Sequence, residues 1–188
     1  MMLEDSHQPI FGEAAQMQLP AISRIDFLEY LDFQFQETRR PADEDALTYL
    51  LNATGTHPRS TQQLAWECWA HTPAGHRVTL QTVIDAHDRL VQTIERSEFA
   101  SVLNLLMSGD EAEANEVRAL QLLADRGGEH ITSRPVATRY GFSSHSRVRP
   151  ALARLQRRGL VDLRDGSWYI VDPLFGEWLR RASPLADR

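Results

Sequence analysis

Between His130 and Val161 the chain carries seven arginines and no carboxylate, and it contains no lysine anywhere. A guanidinium is the cation best shaped for phosphates and base edges, because its planar fork of N–H donors matches both. Arg134, Arg147, Arg149 and Arg154, with His145 and Ser146 among them, are therefore expected to contact duplex DNA through phosphates and base edges. The alternative is a solvated cationic face on a module that docks onto another protein. Steep salt dependence of binding would mark the first.

Other residue types point to less. The seven histidines include His71 and His76, but Pro73 and Gly75 separate them and no acidic or cysteine partner sits at ligand spacing, so no metal site is expected. Cys68, the single cysteine, lies on an apolar helix face and is expected in a core rather than as a nucleophile. Ser143, Ser144, His145 and Ser146 lack the strand and elbow that a catalytic serine needs. Asp43, Glu44 and Asp45 fit the positive end of a helix better than a paired-carboxylate site. Trp66 and Trp69 are expected in the core of a helical bundle, and Trp168 and Trp178 between a hairpin and the last helix.

The elements that must position these residues follow from periodicity. Ser23 can cap a first helix in which Ile25, Phe27, Leu28, Leu31 and Phe35 recur at helical spacing, stopping near Arg39–Pro41. A second helix spans about Asp43 to Thr54, with Gly55 to end it. A third opens at Pro58 and carries Leu64, Ala65, Cys68 and Trp69. A fourth runs from about Thr79 to Arg96. Ser97 to Asp110 forms a connecting helix, with Ser108–Asp110 as the joint.

Three more helical patterns follow, at Val117–Ala124, Arg134–Tyr140 and Arg147–Arg158, then a short hairpin turning at Asp165–Gly166. In the last of these helices Val148, Ala151, Leu152 and Leu155 make the buried stripe. Pro150 is tolerable only in a first turn, which places the cap near Ser146. This order of elements resembles a winged helix, a module that holds one helix against a DNA groove or a partner protein.

Composition bounds the setting. The 188 residues carry a net charge of −6, divided unevenly. Residues 1–98 hold 15 acidic and 7 basic side chains, and residues 99–188 hold 11 and 13. No apolar run reaches the roughly 18 residues that span a bilayer, and no basic-then-apolar leader opens the chain. A cytoplasmic location without membrane contact is the expectation.

Two segments together resemble a larger family. Thr54-Gly55-Thr56-His57-Pro58-Arg59 and the residues to Ala65 are similar to the helix junction in the lid of AAA+/STAND-type P-loop ATPases. Val171-Asp172-Pro173 through Arg181 resembles the stretch that closes the winged helix of those proteins, and Met2–Phe11 resembles the segment leaving their ATPase core. The resemblance implies that Gly55, His57 and Pro58 approach the adenine and ribose of a nucleotide, with Arg59 near its phosphates. The chain departs from the family in having no P-loop and no paired acids for magnesium. No autonomous ATPase is expected, and ATP or ADP would bind only with a P-loop ATPase core supplied from elsewhere.

The expected architecture is mainly α: a four-helix lid-like bundle followed by a winged-helix domain. Its parts are a remnant at 1–19, the bundle at 20–96, the connecting helix and joint at 97–110, the winged helix at 111–182 and a tail at 183–188. The leading functional expectation is the regulatory portion of an AAA+/STAND-like protein, its lid sensing nucleotide and its winged helix contacting DNA or a partner protein. The alternatives are a stand-alone DNA-binding regulator and a protein-interaction module.

Overall fold

The structure, a computed structural model, describes residues 22–94, 99–107 and 110–182. The expectations for 1–21, for 95–98 at the end of the fourth helix and the start of the connecting helix, for Ser108–Gly109 and for 183–188 lie outside the described residues. Helices α1 (Arg24–Glu37), α2 (Glu44–Thr54), α3 (Pro58–His71) and α4 (Leu80–Ile94) form the N-terminal bundle. The caps are those the residue types favour. Ser23 Oγ accepts from Asp26 N at 3.1 Å, and Gly55 closes α2 in the left-handed region at φ 56°. Pro58 opens α3 behind His57, whose ring nitrogen accepts from Ser60 N.

The bundle core gathers Phe27, Leu31 and Phe35 of α1, Leu47, Leu50 and Leu51 of α2, Leu64 and Cys68 of α3, and Val83 and Ala86 of α4. Fully burying such a side chain contributes about 1.5–3 kcal/mol, so this set outweighs any single polar contact in the bundle. Two expected core residues lie outside it. Trp66 is 64% exposed and Trp69 38%, because α3 turns Leu64 and Cys68 inward and leaves the tryptophans on its outer side. Ile25 is 70% exposed for the same reason, one step off the Phe27–Leu31–Phe35 stripe.

The C-terminal body begins with α5 (Phe99–Met107) and α6 (Glu111–Arg126). Asp110 caps α6 through a reciprocal capping box with Glu113. Then come α7 (Arg134–Arg139), a 3-10 turn at His145–Arg147, α8 (Val148–Arg157), β1 (Val161–Arg164), β2 (Ser167–Ile170) and α9 (Pro173–Ala182). The strands pair antiparallel from Val161–Ile170 to Arg164–Ser167, and Asp165 and Gly166 both take positive φ at the two-residue tip. That pair of left-handed residues matches the twist of the hairpin.

The second core packs Ala119, Leu120 and Leu123 of α6 against Ala151, Leu152 and Leu155 of α8 and Leu174, Phe175 and Trp178 of α9. Leu106 of α5 and Val91 of α4 belong to this core as well. The connecting helix is thus part of the C-terminal body rather than a free link. The bodies meet where α9 lies on α2 and α4. Arg181 reaches Asp88 at 2.8 Å there, and Ser60 Oγ donates to Asp172 Oδ1 at 2.7 Å.

Candidate nucleic-acid interface

Helix α8 is set by its apolar stripe. Val148, Ala151, Leu152 and Leu155 are fully buried, as their spacing predicts. The opposite face therefore carries Arg149, Ala153 and Arg157 at i, i+4 and i+8, all exposed. Pro150 falls in the first turn, where its missing N–H costs nothing. The N-cap position of α8 is Arg147, next to Ser146 as expected, and it makes no side-chain cap bond; Ser144 caps the 3-10 turn before it, its Oγ accepting from Ser146 N at 3.3 Å and lying 2.9 Å from the Ser146 hydroxyl. One 3-10 turn carrying His145, Ser146 and Arg147 thus precedes α8, and all three residues are exposed.

Two of the seven arginines are ion-paired within the fold. Arg154 Nε donates to Glu116 Oε1 at 2.6 Å, and its terminal nitrogen donates to the Ala112 carbonyl at 2.9 Å. Arg158 Nε lies 3.0 Å from Glu116 Oε2, with Glu113 Oε1 at 3.3 Å. The Glu116 side chain is wholly buried, so it holds both guanidiniums at the seam between α6 and α8. Arg154, expected as a DNA contact, is a packing residue of the fold. The sequence signal was Glu116 itself, a carboxylate in step with Ala119, Leu120 and Leu123 on the apolar face of α6.

What remains is a cationic set spread over α7, the 3-10 turn and α8. Arg134, Arg139, Arg147, Arg149 and Arg157 are exposed, and none has an ion-pair partner among the described residues. Arg139 and Arg157, at the ends of α7 and α8, lie outside the expected set, which gathers at the start of α8. A cleft of about 700 Å³ separates the outer side of α8 from the hairpin, with Arg149, Ala153 and Gln156 on one wall and Leu163 and Trp168 on the other.

The hairpin wall has its own polar lock. Asp162 accepts from Leu163 N at 2.8 Å, from Gln156 Nε2 at 2.9 Å and from the Tyr169 hydroxyl at 3.3 Å. The backbone N–H of Leu163, then the Gln156 amide, hold this carboxyl below its usual range. Gln156 is thereby tied to the hairpin, which sets the angle between α8 and the wing. Gly128 presses on the other edge: a Cβ there would meet the Trp168 carbonyl oxygen at 2.1 Å.

Residues 111–181 match the family model described as a probable winged helix domain. Residues 111–181 form a winged helix. No curated protein matches the chain. Within the winged helix α8 is the helix that precedes the wing, and the β1–β2 hairpin is the wing.

The residues of the second expected site pack where the two bodies meet. Gly55 faces Pro173, whose Cγ would lie 3.0 Å from a Cβ at that position. The His57 ring is turned onto Ser60, 3.0 Å from its hydroxyl, and so caps α3. Pro58 starts that helix, and Arg59 is exposed beside it. The free N–H groups at a helix start attract anions. Here the nearby anion is the Asp172 carboxylate, which also accepts from Leu174 N at 2.9 Å at the start of α9. Gly55, His57 and Pro58 thus build the joint between the two bodies. Among the described residues no group of three His, Cys, Asp or Glu side chains could hold a metal ion, and no helix is long and apolar enough to cross a membrane.

Proposed function

We propose that the chain is a DNA-binding regulator in which the winged helix grips duplex DNA and the helical bundle, braced against α9, conveys a second input. The observation that carries this is the exposed arginine set, Arg134, Arg139, Arg147, Arg149 and Arg157, around an α8 face that bears no carboxylate. His145 and Ser146 stand at the start of α8, placed for phosphate or base-edge contact as the element enters a groove. On the wing Asp162 and Asp165 outnumber the one arginine, Arg164, which lies over the Tyr169 ring at 5.1 Å, so phosphate attraction in this reading comes mainly from the helices.

Fluorescence anisotropy on a short mixed-sequence duplex tests the proposal. Neutralising four or five phosphates gives a slope of log K against log salt of about −4, so binding seen at about 50 mM salt weakens by two orders of magnitude or more by about 200 mM. No binding at the lower salt removes the DNA reading and leaves a module that meets protein.

A second reading is favoured by one contact. The two segments that resemble AAA+/STAND ATPases, around Gly55–Arg59 and Val171–Arg181, touch each other through Ser60 and Asp172. In that reading the bundle and winged helix are the regulatory portion of a switch whose P-loop core comes from elsewhere, and nucleotide entry at Gly55, His57, Pro58 and Arg59 would have to open the α3–α9 contact. In-frame Walker A and Walker B segments upstream of the Met1 codon, or an ATP-binding subunit that copurifies with the chain, support it. Lack of both removes it.

A further inference from the structure

The bundle and the winged helix leave a cavity of about 760 Å³ between them, with α2 and α4 on one side and the end of α6, β2 and α9 on the other. That volume lies in the range that holds small ligands, and a seam between two bodies is a favoured place for one. Part of the wall is apolar. Leu123 and Ala124 of α6 stand there with Trp168 and Ile170 of β2, and both wing residues stay only half-buried although they pack on the core. Part is polar and incomplete. His87 belongs to the wall, and its Nε2 is buried without a hydrogen-bond partner among the described residues. Native folds satisfy nearly all such atoms, and the soft torsion of a histidine ring lets it turn toward a bound polar group.

The charges beside His87 select the ligand. Asp88 follows it on α4, and Glu177, Arg180 and Arg181 come from α9. Arg181 donates to Asp88 Oδ1 and to Glu177 Oε1, each at 2.8 Å, and Arg180 pairs with Glu177. Among the described residues these are the carboxylates and guanidiniums of the wall, and the two signs balance. A ligand of single charge would strip one of them of its partner and leave that group unpaired. A ligand carrying both charges exchanges partners without loss: its carboxylate takes a guanidinium and its ammonium takes the acid released. The apolar wall then receives a side chain. We propose that this cavity binds a zwitterionic α-amino acid with a large apolar side chain. The site supplies the second input of the regulatory reading and rests on that reading for its consequence, while the binding itself requires no DNA.

Isothermal titration of the full chain with L-leucine, L-phenylalanine and L-tryptophan tests it, each beside the analogue that lacks its amino group and the one that lacks its carboxylate. At least one amino acid is expected to bind, and its single-charge analogues about tenfold more weakly or worse, as the loss of a charged hydrogen bond costs. Asp88→Asn with Arg180→Gln removes one charge of each sign, keeps the Glu177–Arg181 pair and should weaken binding about tenfold or more. His87→Phe should weaken it as well. Asp88 and Arg180 are exposed, so an unchanged Tm of their double variant shows that the fold is kept. Absence of binding by all three amino acids overturns the proposal. So does equal binding of a single-charge analogue, or binding that neither variant alters. Anisotropy on duplex DNA is read separately: amino-acid binding by a chain that does not bind DNA keeps the site and removes only the regulatory reading.

Discussion

The Ser60 hydroxyl donates to the Asp172 carboxylate across 2.7 Å, joining residues 112 positions apart in the chain. One residue lies in the first turn of a bundle helix and the other caps the last helix of the winged helix. Asp172 serves both, because it also accepts from Leu174 N. Where an outside anion would be drawn to α3, the fold supplies one of its own. The bundle and the winged helix are therefore coupled at this point.

Removing this bond should loosen the seam without unfolding either body. Ser60→Ala is expected to cost about 1–3 kcal/mol, since Ser60 is buried and its partner is charged. Asp172→Ala should cost at least as much, because it also uncaps α9. A double-mutant cycle read by urea denaturation checks this. Strictly additive effects would show that the two side chains are not coupled.

Glu116 and its arginines separate stability from DNA binding. Glu116→Ala should destabilise the chain by about 3 kcal/mol by stripping Arg154 and Arg158 of their shared carboxylate. Arg154→Ala should lower Tm while leaving the salt slope of DNA binding unchanged. Arg149→Ala should do the reverse, reducing the slope by about 1 at constant Tm. If Arg154→Ala lowered the slope as Arg149→Ala does, the assignment of Arg154 to packing would be wrong.

At Gly128 a single methyl group is expected to matter. A Cβ there collides with the Trp168 backbone, so the wing must shift or the end of α6 must move. Gly128→Ala should cost about 1–3 kcal/mol, as overpacking does. The near-ultraviolet signal of the tryptophans should change with it. Gly166→Ala, with open space around it, reports backbone strain alone and serves as the comparison.

Acid should weaken the fold through His87. Its Nε2 is buried without a hydrogen-bond partner among the described residues, and the ring lies edge-on to Tyr49 at 6.2 Å between centroids. Burial, then the Arg181 guanidinium, hold its pKa below the ordinary 6.5. The unfolded chain therefore takes up a proton that the folded chain resists. Stability is full above about 6.5 and falls as pH drops from there toward the folded value, by no more than about 1.4 kcal/mol per pH unit for one proton. Denaturation at about pH 7.5 and about pH 5.5 should show a loss that His87→Phe reduces. Equal losses in both proteins would place the acid sensitivity elsewhere.

Cys68 should be inert in the folded protein. It is fully buried in the bundle, and burial pushes its thiol up to about 12. The thiolate that attacks an alkylating reagent is thus scarce as well as shielded. Iodoacetamide at about pH 8 should label it only at the rate of unfolding. Rapid stoichiometric labelling under native conditions would contradict this packing.

The helices were legible because their signals are local. Ser23, Gly55 and Pro58 act within one turn, and the stripe of Val148, Ala151, Leu152 and Leu155 needs only its own spacing. The candidate site was half legible. An acid-free stretch of sequence suggested an acid-free surface, yet Glu113 and Glu116 arrive from α6 and claim Arg158 and Arg154. Which arginine meets a carboxylate depends on how α6 crosses α8, and no spacing within either helix reports that. Trp66 and Trp69 were misplaced for a related reason. Large apolar side chains are presumed inside, while their exposure here depends on which face of α3 the bundle covers.

The winged-helix match begins at residue 111, but the core it names does not. Val91 and Leu106 complete the layer beneath α6, so a fragment cut at the family boundary would leave a hole where two side chains had been. The bundle and α5 are in this sense part of the instrument that holds α8. A residues 111–182 fragment should melt below the full chain, and its DNA affinity should fall even though every exposed arginine is still present.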